Sequence, residues 1–281
     1  MSDSLSSWLA LREPADTAAR SVALTRALVA ALPGGNVFRP LRILDLGAGT
    51  GSNVRYLAGY LPLRQDWLLV DQDASLLKEA PARMFSWGAA KRLLFHIHTR
   101  RMNLGALDPE IFFGRDLVTA SALLDLVSET WLRSVAGLCR AGGAAALFAL
   151  TYNGRSHCSP AEPEDEAIRE LMNRHQKTSD KGFGQAAGPG AVDCAERCFA
   201  EAGYHVRREA SDWVLPPDAR DLQRQLIDGW AEAVIEIAPE RSAMIGDWLA
   251  RRLAHVAANR SRVIVGHEDL AAWLPNPQPE T

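Results

Sequence analysis

Residues 43–53 read Ile-Leu-Asp-Leu-Gly-Ala-Gly-Thr-Gly-Ser-Asn, and they restrict the fold more than any other stretch. A mostly apolar, β-type run from Leu41 to Leu46 carries one acid, Asp45, and then breaks into glycines at alternate positions, Gly47, Gly49 and Gly51. Glycines at the end of a strand permit a sharp turn and let the backbone approach a bound molecule with no Cβ in the way. A dinucleotide loop reads G-x-G-x-x-G; counted from Gly47, its third glycine would fall at Ser52. Asp45 also counts against a pyrophosphate ligand, because the carboxylate would face a second anion. It suits a ligand that carries a cation.

Further strands follow at the spacing of an α/β sheet. Trp67 to Val70 reads as the second and ends in Asp71. An acid there accepts the hydroxyls of a ribose, or else is a turn residue beside a cap formed by Asp73 and Ser75. The third is Leu93 to His98, and the fourth is Leu117 to Ala120, with Ser121 to Leu124 at its carboxyl end, where open α/β sheets bind ligands. Asp125 is expected to cap a helix from Val127 to Cys139, and the fifth strand is Ala144 to Thr151 after the turn Gly142-Gly143. Near-continuous apolar strands alternating with helices imply a parallel sheet covered on both faces.

The run Asp45 to Gly51, set between a strand and the helical segment Ser52 to Tyr60, resembles motif I of the class I S-adenosylmethionine-dependent methyltransferases. That resemblance implies an α/β, Rossmann-like seven-stranded methyltransferase fold: a mostly parallel sheet in the order 3-2-1-4-5-7-6, with an antiparallel last strand and helical lid insertions. It implies S-adenosyl-L-methionine as cofactor, bound by Asp45, Gly47, Gly49, Gly51, Asp71, Gln72, Met102, Asn103 and Ser121. Asn103 stands where the family more often has Asp to read the adenine amino group. In this class a leading helix closes over the amino-acid end of the cofactor, so Arg20 is a candidate for the carboxylate. Arg12 is expected to pair with Glu13 or Asp16 on the surface. The motifs cover residues 41–151, and the remainder matches by topology alone.

The chain has 281 residues and is read as one domain, with a cofactor-binding core over 36–151 and lid or substrate elaborations over 1–35, 152–190 and 216–260. The leading helix is placed over 13–32, ended by Pro33-Gly34-Gly35. After the fifth strand come a helix from Ala191 to Ala202, a strand from Gly203 to Val214, two amphipathic helices over Pro216 to Arg260 split near Pro239, and a last strand from Ser261 to Gly266. With 31 basic and 34 acidic residues the net charge is −3, which gives no electrostatic footprint for nucleic acid or anionic membrane. No apolar run reaches the ~18 residues of a membrane span, and no signal pattern opens the chain; the expectation is a cytoplasmic protein. Cys139, Cys158, Cys194 and Cys198 form no disulfide framework. The C-x-x-x-C pair Cys194 and Cys198 has Glu201 where a radical iron–sulfur motif needs its third cysteine, so no metal is expected.

Methyl transfer is an in-line displacement from an activated leaving group, so the protein mainly positions a nucleophile and takes its proton. Asn173 to Gly184 is rich in polar residues and glycine and reads as either a solvated surface loop or a lid over the binding mouth, in which case His175 is the candidate base. Tyr152, beside Asn153 at the carboxyl end of the fifth strand, is the second catalytic candidate; His157 and His267 are weaker ones. Ser121-Ala122-Leu123-Leu124 stands where many enzymes that methylate amino groups of bases or glutamine carry N/D-P-P-Y/F. The reading is methyl transfer to a small-molecule acceptor. The alternatives are an RNA or protein methyltransferase, and a non-catalytic regulatory protein that binds the same cofactor. The acceptor atom and the oligomeric state stay open.

Overall fold

The computed structural model describes residues 2–32, 39–62, 64–91, 94–178 and 180–275. The expected stop at Pro33-Gly34-Gly35, the strand residue Leu93 and the loop residue Ser179 lie outside the described residues.

Strands β1 (Leu41–Leu46), β2 (Arg64–Asp71), β3 (Leu94–Arg101), β4 (Leu117–Ser121) and β5 (Ala145–Ser159) pair in parallel in the spatial order β3-β2-β1-β4-β5. Strand β8 (Arg262–Trp273) lies antiparallel between β5 and β6 (His205–Ala210), and the short β7 (Trp213–Leu215) also pairs with β8. With β7 set aside, the order is the one the methyltransferase resemblance implies: Rossmann-like, mostly parallel, with the last strand inserted antiparallel.

Successive residues of a strand point to opposite faces, so a run such as Ile43-Leu44 feeds two cores. Leu44 and Leu46 pack with Val118, Phe148, Trp131 and Phe199 on one side. Ile43, Trp67 and Leu69 pack on the other against Leu24, Leu28, Leu57 and Leu77. The flanking helices are α1 (Ser2–Ala19), α2 (Val22–Ala31), α3 (Ser52–Leu57), α4 (Ala74–Lys91), α5 (Glu129–Gly142), α6 (Asp165–Thr178), α7 (Ala191–Glu201), α8 (Arg220–Ile237) and α9 (Ser242–Ala257). Among them α6, α8 and α9 gather a third apolar cluster on the far part of β5 and β8, with Trp213, Trp230 and Trp248 in it.

Five sequence expectations are corrected. The leading helix is two helices, because the Ser21 side chain accepts the Leu24 N–H and caps α2 after a break at Arg20. The fifth strand does not stop at Thr151 but runs to Ser159, because the twelve-residue β8 gives it a long antiparallel partner. The strand expected over 203–214 is interrupted at Ser211-Asp212, where the Ser211 N–H donates to the His267 carbonyl and Asp212 accepts the His267 N–H. The first half of the polar stretch 173–184 is not a loop: residues up to Thr178 complete α6, whose first turn is acidic (Asp165, Glu166), whose last turn is basic (His175, Lys177), and which buries Ile168 and Leu171. Asp125 does not cap α5. Ser128 does, its hydroxyl accepting the Trp131 N–H.

Candidate functional site

The glycine loop leaves β1 with Gly47, Gly49 and Gly51 at φ of 67°, 52° and 81°. These left-handed values strain any residue with a Cβ. The Gly47 and Ala48 N–H groups both donate to the Val70 carbonyl, which pins the loop to the end of β2. Gly51 begins α3 and faces Met84 and Ala80 of α4, whereas Gly47 and Gly49 line a cavity of about 300 Å³ at the carboxyl edge of the sheet.

That cavity has three walls. Asp71, Gln72 and Asp73 come from the end of β2; Ser121, Ala122 and Leu123 follow β4; Leu5, Leu9, Arg12 and Asp16 come from α1. Leu126, Lys181 and Phe183 close the side beyond Ser121. The Asp71 carboxylate accepts the Gly49 N–H with Oδ2 at 2.8 Å and the Asp73 N–H with Oδ1 at 2.9 Å. Asp73 in turn caps α4 through the Ser75 and Leu76 N–H groups. Asp71 therefore organises the turn and also borders the cavity; the two roles read from the sequence as alternatives are compatible in one side chain.

Behind the loop lies a buried polar chain. The Asn53 amide donates to Asp45 Oδ1 at 2.7 Å and to Thr119 Oγ1 at 3.1 Å, and its oxygen accepts from Arg20 Nη1 at 2.9 Å. Burial drives the Asp45 carboxyl up to about 7, against the opposing pull of Asn53 and Arg20. Asp45 Oδ2 and Arg20 Nη2 have no hydrogen-bond partner among the described residues. Arg20 stacks over the Tyr56 ring, its guanidinium carbon 4.3 Å from the centroid. It lines a small recess with Ser52, Asn53 and Ser121, residues that also line the main cavity.

Helix α1 is tied across this site. The Glu13 carboxylate accepts Arg55 Nε and Nη2 at 2.6 Å each, and the Ser6 hydroxyl donates to Glu79. Arg12 pairs with Asp16, as expected, but it also lies 4.9 Å over the Trp213 ring and lines the cavity. Trp213 donates its indole N–H to Asp16.

Other candidates lie elsewhere. Met102 packs against the main core, and Asn103 accepts the Gly105 N–H in a tight turn; neither lines the cavity, where Leu104 takes that place. His175, a helical residue, sets its ring nitrogen 2.9 Å from Glu236 of α8 and is not among the cavity-lining residues. Tyr152 lines a second cavity of about 200 Å³, walled also by Trp230, Trp248 and Met172. Its hydroxyl donates to Asn173, and burial pushes it up to about 12. His157 lines this second cavity too, and His267 is buried, its imidazolium so disfavoured that its pKa falls to about 3. Among the described residues no cluster of His, Cys, Asp and Glu has metal-ligand geometry, and no helix is long and apolar enough to cross a membrane.

No family model matches the chain, and no curated protein matches it. The solved structures to which it is similar include S-adenosylmethionine-dependent methyltransferases. An O-methyltransferase family protein from Burkholderia thailandensis is 14% identical over 95% of this chain and 59% of its own, with a TM-score of 0.48. A methyltransferase from Thiobacillus denitrificans, solved with S-adenosyl-L-homocysteine, is 16% identical over 92% of this chain and 93% of its own, with a TM-score of 0.42. A phosphoethanolamine N-methyltransferase from Haemonchus contortus is 15% identical over 90% of this chain, with a TM-score of 0.43, and the chain spans only 52% of that enzyme's length.

Sequence reasoning passed over three residues that build the site. Asn53 joins Asp45 to Arg20, Leu9 sits over Gly49, and Asp269 of β8 reaches Arg20 from the other end of the chain. Only Asn53 had a signal, since it ends the glycine motif and opens α3. The other two are brought in by tertiary packing.

Proposed function

We propose that this chain binds S-adenosyl-L-methionine in the cavity at the glycine loop and transfers its methyl group to a small-molecule acceptor. The observation that carries the reading is the buried pair of unsatisfied groups, Asp45 Oδ2 and Arg20 Nη2, joined through Asn53 behind the loop. Buried polar atoms without partners are costly unless something satisfies them. A carboxylate and a guanidinium side by side match the ammonium and carboxylate of an amino acid, a zwitterion that a dinucleotide lacks.

The bound cofactor supplies an electrophilic methyl on a sulfonium. In this reading the residues of the chain bind and orient. Asp71 accepts the ribose hydroxyls beside its bond to Gly49, Gln72 borders the nucleoside, and Arg20 takes the carboxylate. Gly47 and Gly49 allow close approach of the backbone. Ser121 and Ala122 stand at the end of β4 facing the acceptor side, and α1 excludes water with Leu5 and Leu9. The acceptor side, with Leu126, Phe183 and Lys181, is compact and largely apolar, which favours a small molecule. An RNA or protein substrate would call for a basic surface at the mouth; the cations lining the cavity are Arg12, paired with Asp16, and Lys181.

Calorimetry with S-adenosylmethionine, S-adenosylhomocysteine and NAD tests the binding half. Micromolar affinity for the first two, about −8 kcal/mol, is expected, and binding of NAD alone would refute it. A metabolite extract incubated with isotopically labelled methyl donor tests the transfer half. A labelled product supports the enzyme; binding without product from any extract, RNA or protein fraction supports the regulatory alternative.

A further inference from the structure

Arg20 is an unusual cation, with its side chain 2% exposed and hydrogen-bonded to one neutral amide. A buried charge needs a counter-charge and a fixed geometry. Both come from Asp269 on β8, whose side chain is 1% exposed. Its Oδ2 lies 3.4 Å from Arg20 Nε and accepts the Ser21 N–H at 3.0 Å. Its Oδ1 accepts the Leu150 N–H at 2.9 Å, where β5 bends through a left-handed φ of 54°. One carboxylate thus fixes the start of α2, the bend of β5 and one edge of the guanidinium. Asn53 and the Tyr56 ring hold the rest of the guanidinium; Nε meets Asp269 as an ion pair, and neither Nε nor Nη2 has a hydrogen-bond partner among the described residues.

We infer that Asp269 is a positioning residue for the cofactor's carboxylate: it holds Arg20 by the Nε edge so that Nη2 stays turned to the recess. The inference rests on the reading of the cavity as an S-adenosylmethionine site. Asp269 touches no ligand in this scheme and acts through Arg20. Its chemistry explains why an acid is needed. Asp269 accepts from two backbone N–H groups, faces the Arg20 guanidinium as a counter-charge and offers only acceptors, whereas an asparagine would turn its NH2 against the Leu150 N–H or against Ser21 and Arg20.

The test compares two nucleosides that differ at the amino-acid end. S-adenosylhomocysteine carries the carboxylate, and 5′-methylthioadenosine lacks the whole amino-acid portion. Wild type is expected to bind the former at least tenfold more tightly. In Asp269→Asn and in Arg20→Ala that preference should collapse, with affinity for methylthioadenosine changed less than twofold. In the double variant, Asp269→Asn should cost nothing beyond Arg20→Ala, because both act on one contact. An unchanged preference in folded Asp269→Asn overturns the proposal. So does an equal loss for both nucleosides, which marks a structural role, or tighter S-adenosylhomocysteine binding, which marks Asp269 as a counter-charge only. If the variant does not fold, a crystal structure of wild type with S-adenosylhomocysteine decides: Nε must stay on Asp269 while Nη2 meets the carboxylate, and a guanidinium swung off Asp269 refutes the idea. Wild type that binds neither nucleoside defeats the cofactor reading itself. Wild type that binds both equally leaves that reading standing and defeats only this inference.

Discussion

The Asp71 carboxylate accepts the Gly49 backbone N–H at 2.8 Å, so the acid that ends β2 and the glycine loop that ends β1 move as one unit. Asp71→Ala therefore removes a loop anchor as well as the proposed ribose acceptor. Hydrogen bonds to a charged group are worth about 1.5–3 kcal/mol each. Affinity for S-adenosylhomocysteine by calorimetry should fall at least tenfold, and the thermal midpoint should drop by a few degrees as well. Unchanged affinity in a folded variant would reduce Asp71 to a turn residue.

Gly49 has φ of 52°, and a Cβ built on it lies 3.1 Å from the Leu9 side chain of α1. Gly49→Val adds a β-branched residue in a conformation it strongly disfavours and thrusts its methyls at Leu9 of α1. Calorimetry should show no binding, while circular dichroism keeps the α/β signature. Retained micromolar binding would place the cofactor elsewhere.

Asp45 gives a pH signature. Its carboxyl is raised from 3.8 to about 7 in the folded chain by burial. A raised folded value means that the group favours folding when protonated; that contribution is whole below 3.8 and is lost as pH rises through about 7. Asp45→Asn should therefore raise the thermal midpoint of the unliganded protein, by an amount that grows from pH 4 to pH 7 and then levels off. The cofactor's ammonium should draw the carboxyl to its ionised form, so wild type should release a fraction of a proton on binding at pH 6 to 7. Calorimetry in buffers of different ionisation enthalpy reads this directly; proton uptake would contradict it.

His175 was a base in the sequence reading, and the structure moves the expectation. With its ring paired to Glu236 across α6 and α8, outside the lining of the cavity, His175→Ala should leave methyl transfer and cofactor affinity near wild type. The lost pair is partly exposed and should cost at most about 1 kcal/mol of stability in a denaturant titration. A hundredfold loss of turnover would restore His175 as a catalytic group.

The parts legible in the sequence share a local cause. The strand-loop-helix at Leu41 to Leu57 is written in contiguous residues, since apolar alternation, glycines and an acid all fall within one short stretch. The parallel order of the first strands also follows from apolar runs separated by helix-length segments. What stayed hidden depends on distant partners. β5 continues past Thr151 only because β8 lies beside it, and nothing within 152–159 announces a strand of that length. α6 was misread because polar residues outnumber its buried pair, Ile168 and Leu171, so composition masked the helical period. Tyr152 was expected just beyond the end of the fifth strand, but it lies within the longer β5, which carries it into the second cavity. Arg20 was visible as a candidate, whereas Asn53 and Asp269, its partners, lie 33 and 249 residues away.

Those separations bear on how the protein is made. Arg20 precedes the glycine loop, while Asp269 belongs to the last strand described, so the two halves of one clamp leave the ribosome 249 residues apart. A nascent chain can fold β1 to β4 and display the whole glycine motif while its arginine is still unanchored. In the proposed reading the cofactor gains its full grip only after β8 has slotted between β5 and β6, which would make tight binding a report that translation has run through to β8.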